Sequence, residues 1–121
     1  MGLMSSMTEV GVYTVEDLHA YREARRDWTV QLIDGELIVA PCPGIEHQDV
    51  LVELLVRLRE ASSPDLKVLP APLDLRLAPD TVIQPDLVVI PRSLRSGTEV
   101  QVPPVLAVEI LSPGPGARTT G

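Results

Sequence analysis

Two acids stand out because of where they fall. In Asp86-Leu87-Val88-Val89-Ile90 a carboxylate opens an aliphatic run, and in Val105-Leu106-Ala107-Val108-Glu109-Ile110-Leu111 another lies near the close of a second run. Short Val- and Leu-rich runs of this kind predict buried strands. Side chains alternate along a strand, so Asp86 shares a face with Val88 and Ile90, and Glu109 with Ala107 and Leu111. If the two strands are antiparallel neighbours, the start of one meets the end of the other and the carboxylates sit side by side. Two such charges ~4 Å apart repel by about 4 kcal/mol at an effective dielectric near 20. Either one takes up a proton or a divalent cation lies between them. Hard oxygen ligands favour Mg²⁺ or Mn²⁺ over zinc. Such an ion polarises a phosphoryl oxygen and lowers the pKa of bound water, which is the chemistry of hydrolytic phosphodiester cleavage. The competing reading is a turn acid at Asp86 and a Glu109 that points to solvent or pairs with an arginine.

Two further polar residues point the same way. Positions 47, 51, 54 and 58 lie along one face of a predicted helix, so His47 stands at the end of an apolar stripe. It is a candidate ligand, acid/base group or orienter of a metal-bound water; the alternative is a satisfied structural histidine. Glu36 opens a strand whose face includes Ile38 and Ala40, and it either turns inward with them or remains a surface acid beside a turn.

The elements that must hold these residues follow from the sequence. Thr14, with Asp17 three positions on, predicts an N-cap with a variant capping box for a helix from Val15 to about Arg25, with Leu18 and Tyr21 on its inner side. Arg22, Arg25 and Arg26 form a small basic group, read either as a solvated face or as a phosphate contact. Val30–Ile33 and Glu36–Ala40 flank Asp34-Gly35, a strong hairpin signal because both positions tolerate positive φ. A helix from about Glu46 to Glu60 carries the stripe Val50, Leu51, Leu54, Leu55, Leu58, with Glu53 and Arg57 paired on its wet side. Strands are expected at Leu66–Leu69, across Leu73, Leu75 and Leu77, at Val82-Ile83, at Leu87–Ile90 and at Val105–Leu111. The order predicts an α+β fold with a mixed or antiparallel sheet and the long helix on one face.

Composition narrows the class of protein. The chain has 121 residues, enough for one domain with a true core. Phe is absent, so aliphatic side chains do the packing. A formal net charge of -7 argues against a nonspecific nucleic-acid coat, which needs clustered Lys and Arg. It leaves room for a carboxylate-rich metal site. The single cysteine, Cys42, permits no internal disulfide. With no recognisable signal peptide and no apolar stretch of membrane-spanning length, a cytoplasmic location off the membrane is expected.

Read together, Leu32-Ile33-Asp34-Gly35-Glu36-Leu37, Pro41, Pro43, His47-Gln48, Ala71-Pro72-Leu73-Asp74, Gln84-Pro85-Asp86-Leu87-Val88-Val89 and Pro104 through Pro113 resemble the Uma-two family of endonucleases. Gln84-Pro85-Asp86 and Glu109-Ile110-Leu111-Ser112-Pro113 are the most specific pieces. The resemblance implies the restriction-endonuclease-like, PD-(D/E)xK fold, with Asp86 and Glu109 as metal-binding motif acids and Glu36 and His47 as further site residues. It also implies Mg²⁺-dependent (or Mn²⁺-dependent) cleavage of DNA by direct attack of water, and a homodimer.

The departures lie in the C-terminal half. The motif lysine belongs two positions after the second acid, where Leu111 stands. Family members commonly place it further downstream, but Lys67 is the only lysine here and precedes both acids. Arg118 is followed by Thr119 where an acid is usual. The expected organisation is a loose tail over 1–13, a C-terminally truncated domain over 14–113 and a disordered tail over 114–121. An exposed sheet edge is expected with it. Two functional readings result: a metal-dependent DNA endonuclease, or a non-catalytic remnant or binding module that keeps the nuclease scaffold.

Overall fold

The computed structural model describes residues 7–9 and 11–111. The expected tail over 114–121 lies outside them. The elements, in chain order, are β1 (Met7–Glu9), α1 (Val15–Ala24), β2 (Trp28–Ile33), β3 (Glu36–Pro41), α2 (Ile45–Ala61), β4 (Leu66–Pro70), β5 (Asp74–Ala78), β6 (Thr81–Ile83), β7 (Leu87–Pro91), β8 (Glu99–Val100) and β9 (Leu106–Val108). The fold is α+β. Its strands form two sheets, one ordered β1-β3-β2-β6-β5-β8 and the other β4-β7-β9. All pairings are antiparallel except β5 with β8.

The first helix starts as its sequence dictates. Thr14 Oγ1 accepts from the Asp17 N–H at 3.2 Å, and Asp17 Oδ2 accepts from the Thr14 N–H at 2.8 Å, which together complete the capping box. Leu18, fully buried, plugs α1 into a cluster with Val30, Leu32, Leu37, Val39 and Val82 from β2, β3 and β6. Thr14→Ala removes the acceptor for one helix N–H and is expected to lower stability by about 1 kcal/mol. For a domain of this size that is a fall of roughly 4 °C in melting temperature, read by circular dichroism.

The β2–β3 hairpin turns through Asp34 (φ 50°) and Gly35 (φ 80°), the two positive-φ positions of a type I′ connection. The turn is pinned to its neighbour: the Gly35 N–H donates to the Asp80 carbonyl at 3.1 Å, and the Asp34 N–H donates to Thr81 Oγ1 at 3.0 Å.

The long helix α2 lies on one face of the three-stranded sheet. Leu51 is buried with Val68, Leu87 and Val89, and Leu54, Leu55 and Leu58 pack around them. Val50, expected in that stripe, is instead exposed; it sits at the margin of the apolar arc. A third cluster joins the sheets, with Leu75 and Val100 from one meeting Val88 and Ile90 from the other.

Three expectations need correction. Met7–Glu9, placed in a loose tail, pairs with β3, Met7 opposite Val39; three residues are too few to show a strand period. The loop after β7 contains the two-residue strand β8, equally short. The last strand spans only Leu106–Val108 rather than Val105–Leu111. Prolines 103 and 104 precede it and cannot donate to a ladder. Beyond it, the Ile110 N–H goes to the Asp86 carboxylate at 2.7 Å rather than to a strand carbonyl. Among the described residues, no helix is long and apolar enough to cross a membrane.

Candidate active site

Strands β7 and β9 run antiparallel, with Leu87 opposite Val108, Val88 opposite Ala107 and Val89 opposite Leu106. Carried one residue further, this register sets Asp86 against Glu109. Asp86 itself stands in the bend just before β7. Its Oδ2 accepts from the Ile110 N–H at 2.7 Å and lies 3.2 Å from His47 Nε2. Oδ1 takes no hydrogen bond among the described residues.

His47 is in the first turn of α2 and is almost wholly buried, at the end of the stripe that continues through Leu51. Its Nδ1 meets the Gln48 side-chain amide at 2.8 Å. Two protonation states satisfy the ring. The Gln48 atom facing Nδ1 is the amide oxygen Oε1, to which a ring protonated on both nitrogens donates while also donating to Asp86; a neutral ring that donates from Nε2 instead requires the amide turned over, with its NH₂ toward Nδ1. Either way His47 ties the first turn of α2 to Asp86.

Glu109 bears the electrostatic mark of this arrangement. Partial burial is the first cause that raises its carboxyl above the ordinary value of 4.5, and the Asp86 charge raises it further. The Asp86 main-chain N–H and His47 pull in the opposite direction. The residue as a whole stays open to water, so the repulsion is damped by solvent. Because the folded state holds this proton more tightly than the unfolded chain, stability falls as pH rises from about the ordinary carboxylate value through the raised one. Glu109→Gln removes that dependence. The melting-temperature difference between Glu109→Gln and the wild type, in chelator, is expected to grow as pH climbs through this window. A difference that stays flat across it contradicts the assignment.

Other candidates lie elsewhere. Glu36 opens β3 opposite Ile33 at the tight turn. Five residues of strand, roughly 17 Å, separate it from Pro41, the end that leads to His47. The structure therefore does not bring Glu36 to His47, Asp86 and Glu109. Lys67 is on β4 opposite Ile90, about 13 Å along the sheet from Asp86, and its Nζ donates to the Leu94 carbonyl. The basic group on α1 is divided. Arg22 turns inward to Val30 and Asp74, Arg25 stacks 3.9 Å over the Tyr21 ring and Arg26 pairs with Glu23.

Two polar residues of β5 have roles that sequence reasoning missed. Asp74 and Arg76 alternate with Leu73, Leu75 and Leu77, a pattern that ordinarily marks the wet face of a half-buried strand. Instead Asp74 accepts from Arg22 Nη1 at 3.0 Å and from Gln84 Nε2 at 2.9 Å, and Arg76 pairs with Glu99 at 3.1 Å. The available signal was the clustering of polar residues at alternate strand positions beside the Gln84-Pro85-Asp86 motif.

Among the described residues, no three His, Cys, Asp or Glu side chains converge into a full metal-ligand set. The assembled donors are two hard carboxylates, with a histidine behind one of them. This set fits Mg²⁺, which keeps several waters and takes one or two carboxylates plus substrate phosphate oxygens. It does not fit structural zinc, which demands four protein ligands.

The α+β scaffold thus places two acids at facing positions of an antiparallel strand pair, with a buried histidine beside one of them. The chain belongs to the Uma2 family, described as "Putative restriction endonuclease", whose family model matches residues 15–120. No curated protein matches it.

Proposed function

We propose that this chain is a Mg²⁺- or Mn²⁺-dependent DNA endonuclease whose ion is held by Asp86 and Glu109. The observation that carries the reading is the β7–β9 register, together with membership of a family described as "Putative restriction endonuclease". A bound ion would supply Lewis acidity toward a phosphoryl oxygen and a water of lowered pKa. The protein's own contribution is positional. The Ile110 N–H and His47 fix Asp86 Oδ2, and Oδ1, which takes no hydrogen bond among the described residues, is the oxygen left for an ion. Glu109, already unfavourable as a free anion, gains most from a neighbouring cation. His47 orients Asp86 and is close enough to pass a proton to or from its carboxylate. In this reading the protein acts as a homodimer, and the outer side of β9, with Val105 and Leu106 exposed, suits pairing with a second copy.

The test uses purified protein on supercoiled plasmid. Nicking or linearisation with Mg²⁺ or Mn²⁺, lost on chelation, is expected. One observation favours the second reading, a non-catalytic binding module: the chain's only lysine is a strand-length from the acids and occupied by a carbonyl. Binding of Mn²⁺ without any cleavage of duplex or single-stranded DNA would select that reading.

A further inference from the structure

Asp86 is held by more than His47 and Ile110. Four polar side chains run from the first helix to the residue just two positions before it. Arg22 donates through Nε and Nη2 to the Val30 carbonyl at 3.0 and 2.8 Å, and through Nη1 to Asp74 Oδ2 at 3.0 Å. The other oxygen of Asp74 accepts from Gln84 Nε2 at 2.9 Å. The Gln84 N–H in turn donates to Gln31 Oε1 at 2.7 Å. Gln84 is therefore gripped at its backbone by β2 and at its side chain by β5. Beside it the Ala71 N–H donates to the Asp86 carbonyl at 3.0 Å.

The segment so held, Gln84-Pro85-Asp86, belongs to no strand. It joins β6 in one sheet to β7 in the other, and only its last residue, Asp86, is tied to the β4–β7 ladder, through the Ala71 N–H. Pro85 restricts φ and lacks an N–H, so the segment's main chain is held only at its two ends, by Gln31 Oε1 at the Gln84 N–H and by the Ala71 N–H at the Asp86 carbonyl. The Gln84 side chain adds a third hold through Asp74. The Arg22–Asp74 pair is mostly buried, and a charge in such a place requires a fixed partner; that makes it a rigid anchor.

We propose that Gln84, held by the Asp74 side chain, is a positioning residue that sets the Asp86 carboxylate in register with Glu109. This rests on the acid-site reading above, but it is tested separately. Gln84→Leu removes the side-chain bond to Asp74 and leaves the Arg22–Asp74 pair intact. Asp74→Asn does the reverse: an amide still bonds Gln84 in either orientation, whereas the ion pair to Arg22 is lost.

Two measurements are made on the full chain. The first is amide hydrogen exchange at Ile110, whose N–H is held by Asp86 Oδ2. The second is Mn²⁺ affinity by calorimetry. Gln84→Leu is expected to speed Ile110 exchange about tenfold relative to the amides of α2, and to weaken Mn²⁺ binding by roughly 10–100-fold, the range for losing a group that orients a ligand. Asp74→Asn is expected to lower the melting temperature yet keep Ile110 protection and Mn²⁺ affinity near wild type. Unchanged Ile110 protection in Gln84→Leu overturns the proposal. So does a loss of protection that merely follows global stability in both variants. If Ile110 responds as expected but wild-type protein binds no Mn²⁺, the positioning role stands and the metal reading falls.

Discussion

Asp86→Ala and Glu109→Ala are both expected to eliminate metal-dependent cleavage, while Asp86→Ala and Glu109→Gln move stability in different directions. Each alanine variant deletes one of the two carboxylates, so the loss of Mn²⁺ affinity should exceed the roughly 10–100-fold seen when an outer partner is removed. The stability split follows from what each acid does without an ion. Asp86 Oδ2 satisfies the Ile110 N–H and His47 Nε2. Its removal strands these two part-buried groups, at about 1–3 kcal/mol for an unsatisfied polar group. Glu109 has its carboxyl pushed up by burial and by Asp86, so an uncharged isostere relieves a conflict and should leave the melting temperature level or higher at neutral pH. Plasmid cleavage, Mn²⁺ calorimetry and thermal melts on the same preparations check all of this. Full cleavage by folded Asp86→Ala and Glu109→Ala would remove the acids from the chemistry.

The pairing of these acids was legible because it needed only two facts: aliphatic runs make neighbouring strands, and antiparallel neighbours bring a start against an end. The capping box at Thr14, the Asp34-Gly35 turn and the apolar stripe of α2 were legible because each signal lies within a few residues. The Arg22–Asp74–Gln84 chain was not. Its partners are 52 and 10 residues apart, and a charged residue in an alternating strand is ordinarily a sign of the wet face. Asp74 looks like solvent-facing punctuation until α1 is known to lay Arg22 across it. Glu36 illustrates the converse. Its strand face, read as one possible route inward, is the half-buried one, with Leu37 and Val39 filling the core from the other side, and the direction of β3 sets Glu36 at the turn end of the strand, away from Pro41. Strand direction relative to a distant site is a property of topology, which local pattern does not encode.

Leu87→Ala is expected to produce the largest loss of stability of any single change considered, about 2.7–5.0 kcal/mol, the range for Leu→Ala at buried sites. Leu87 has 0% exposure and packs with Leu51, Val68 and Val89 where α2 meets the sheet. Its strand neighbours on either side, Pro70 and Val108, are in paired main chain. The surrounding sheet therefore has little freedom to collapse into the space left. A domain with the usual 5–15 kcal/mol of stability would lose roughly a fifth of it or more, seen as a lower denaturant midpoint. Val56→Ala on the exposed side of α2 is the matched control, expected within about 0.5 kcal/mol of wild type; a Leu87→Ala loss below 1 kcal/mol would show that this cluster is not a packed core. The same pair of measurements separates packing from positioning. Leu87 is bonded in sequence to Asp86, yet it supports the site only through the fold as a whole. At temperatures where Leu87→Ala remains folded, its Mn²⁺ affinity should stay within a few-fold of wild type. Gln84→Leu, by contrast, should lose affinity while keeping most of its stability.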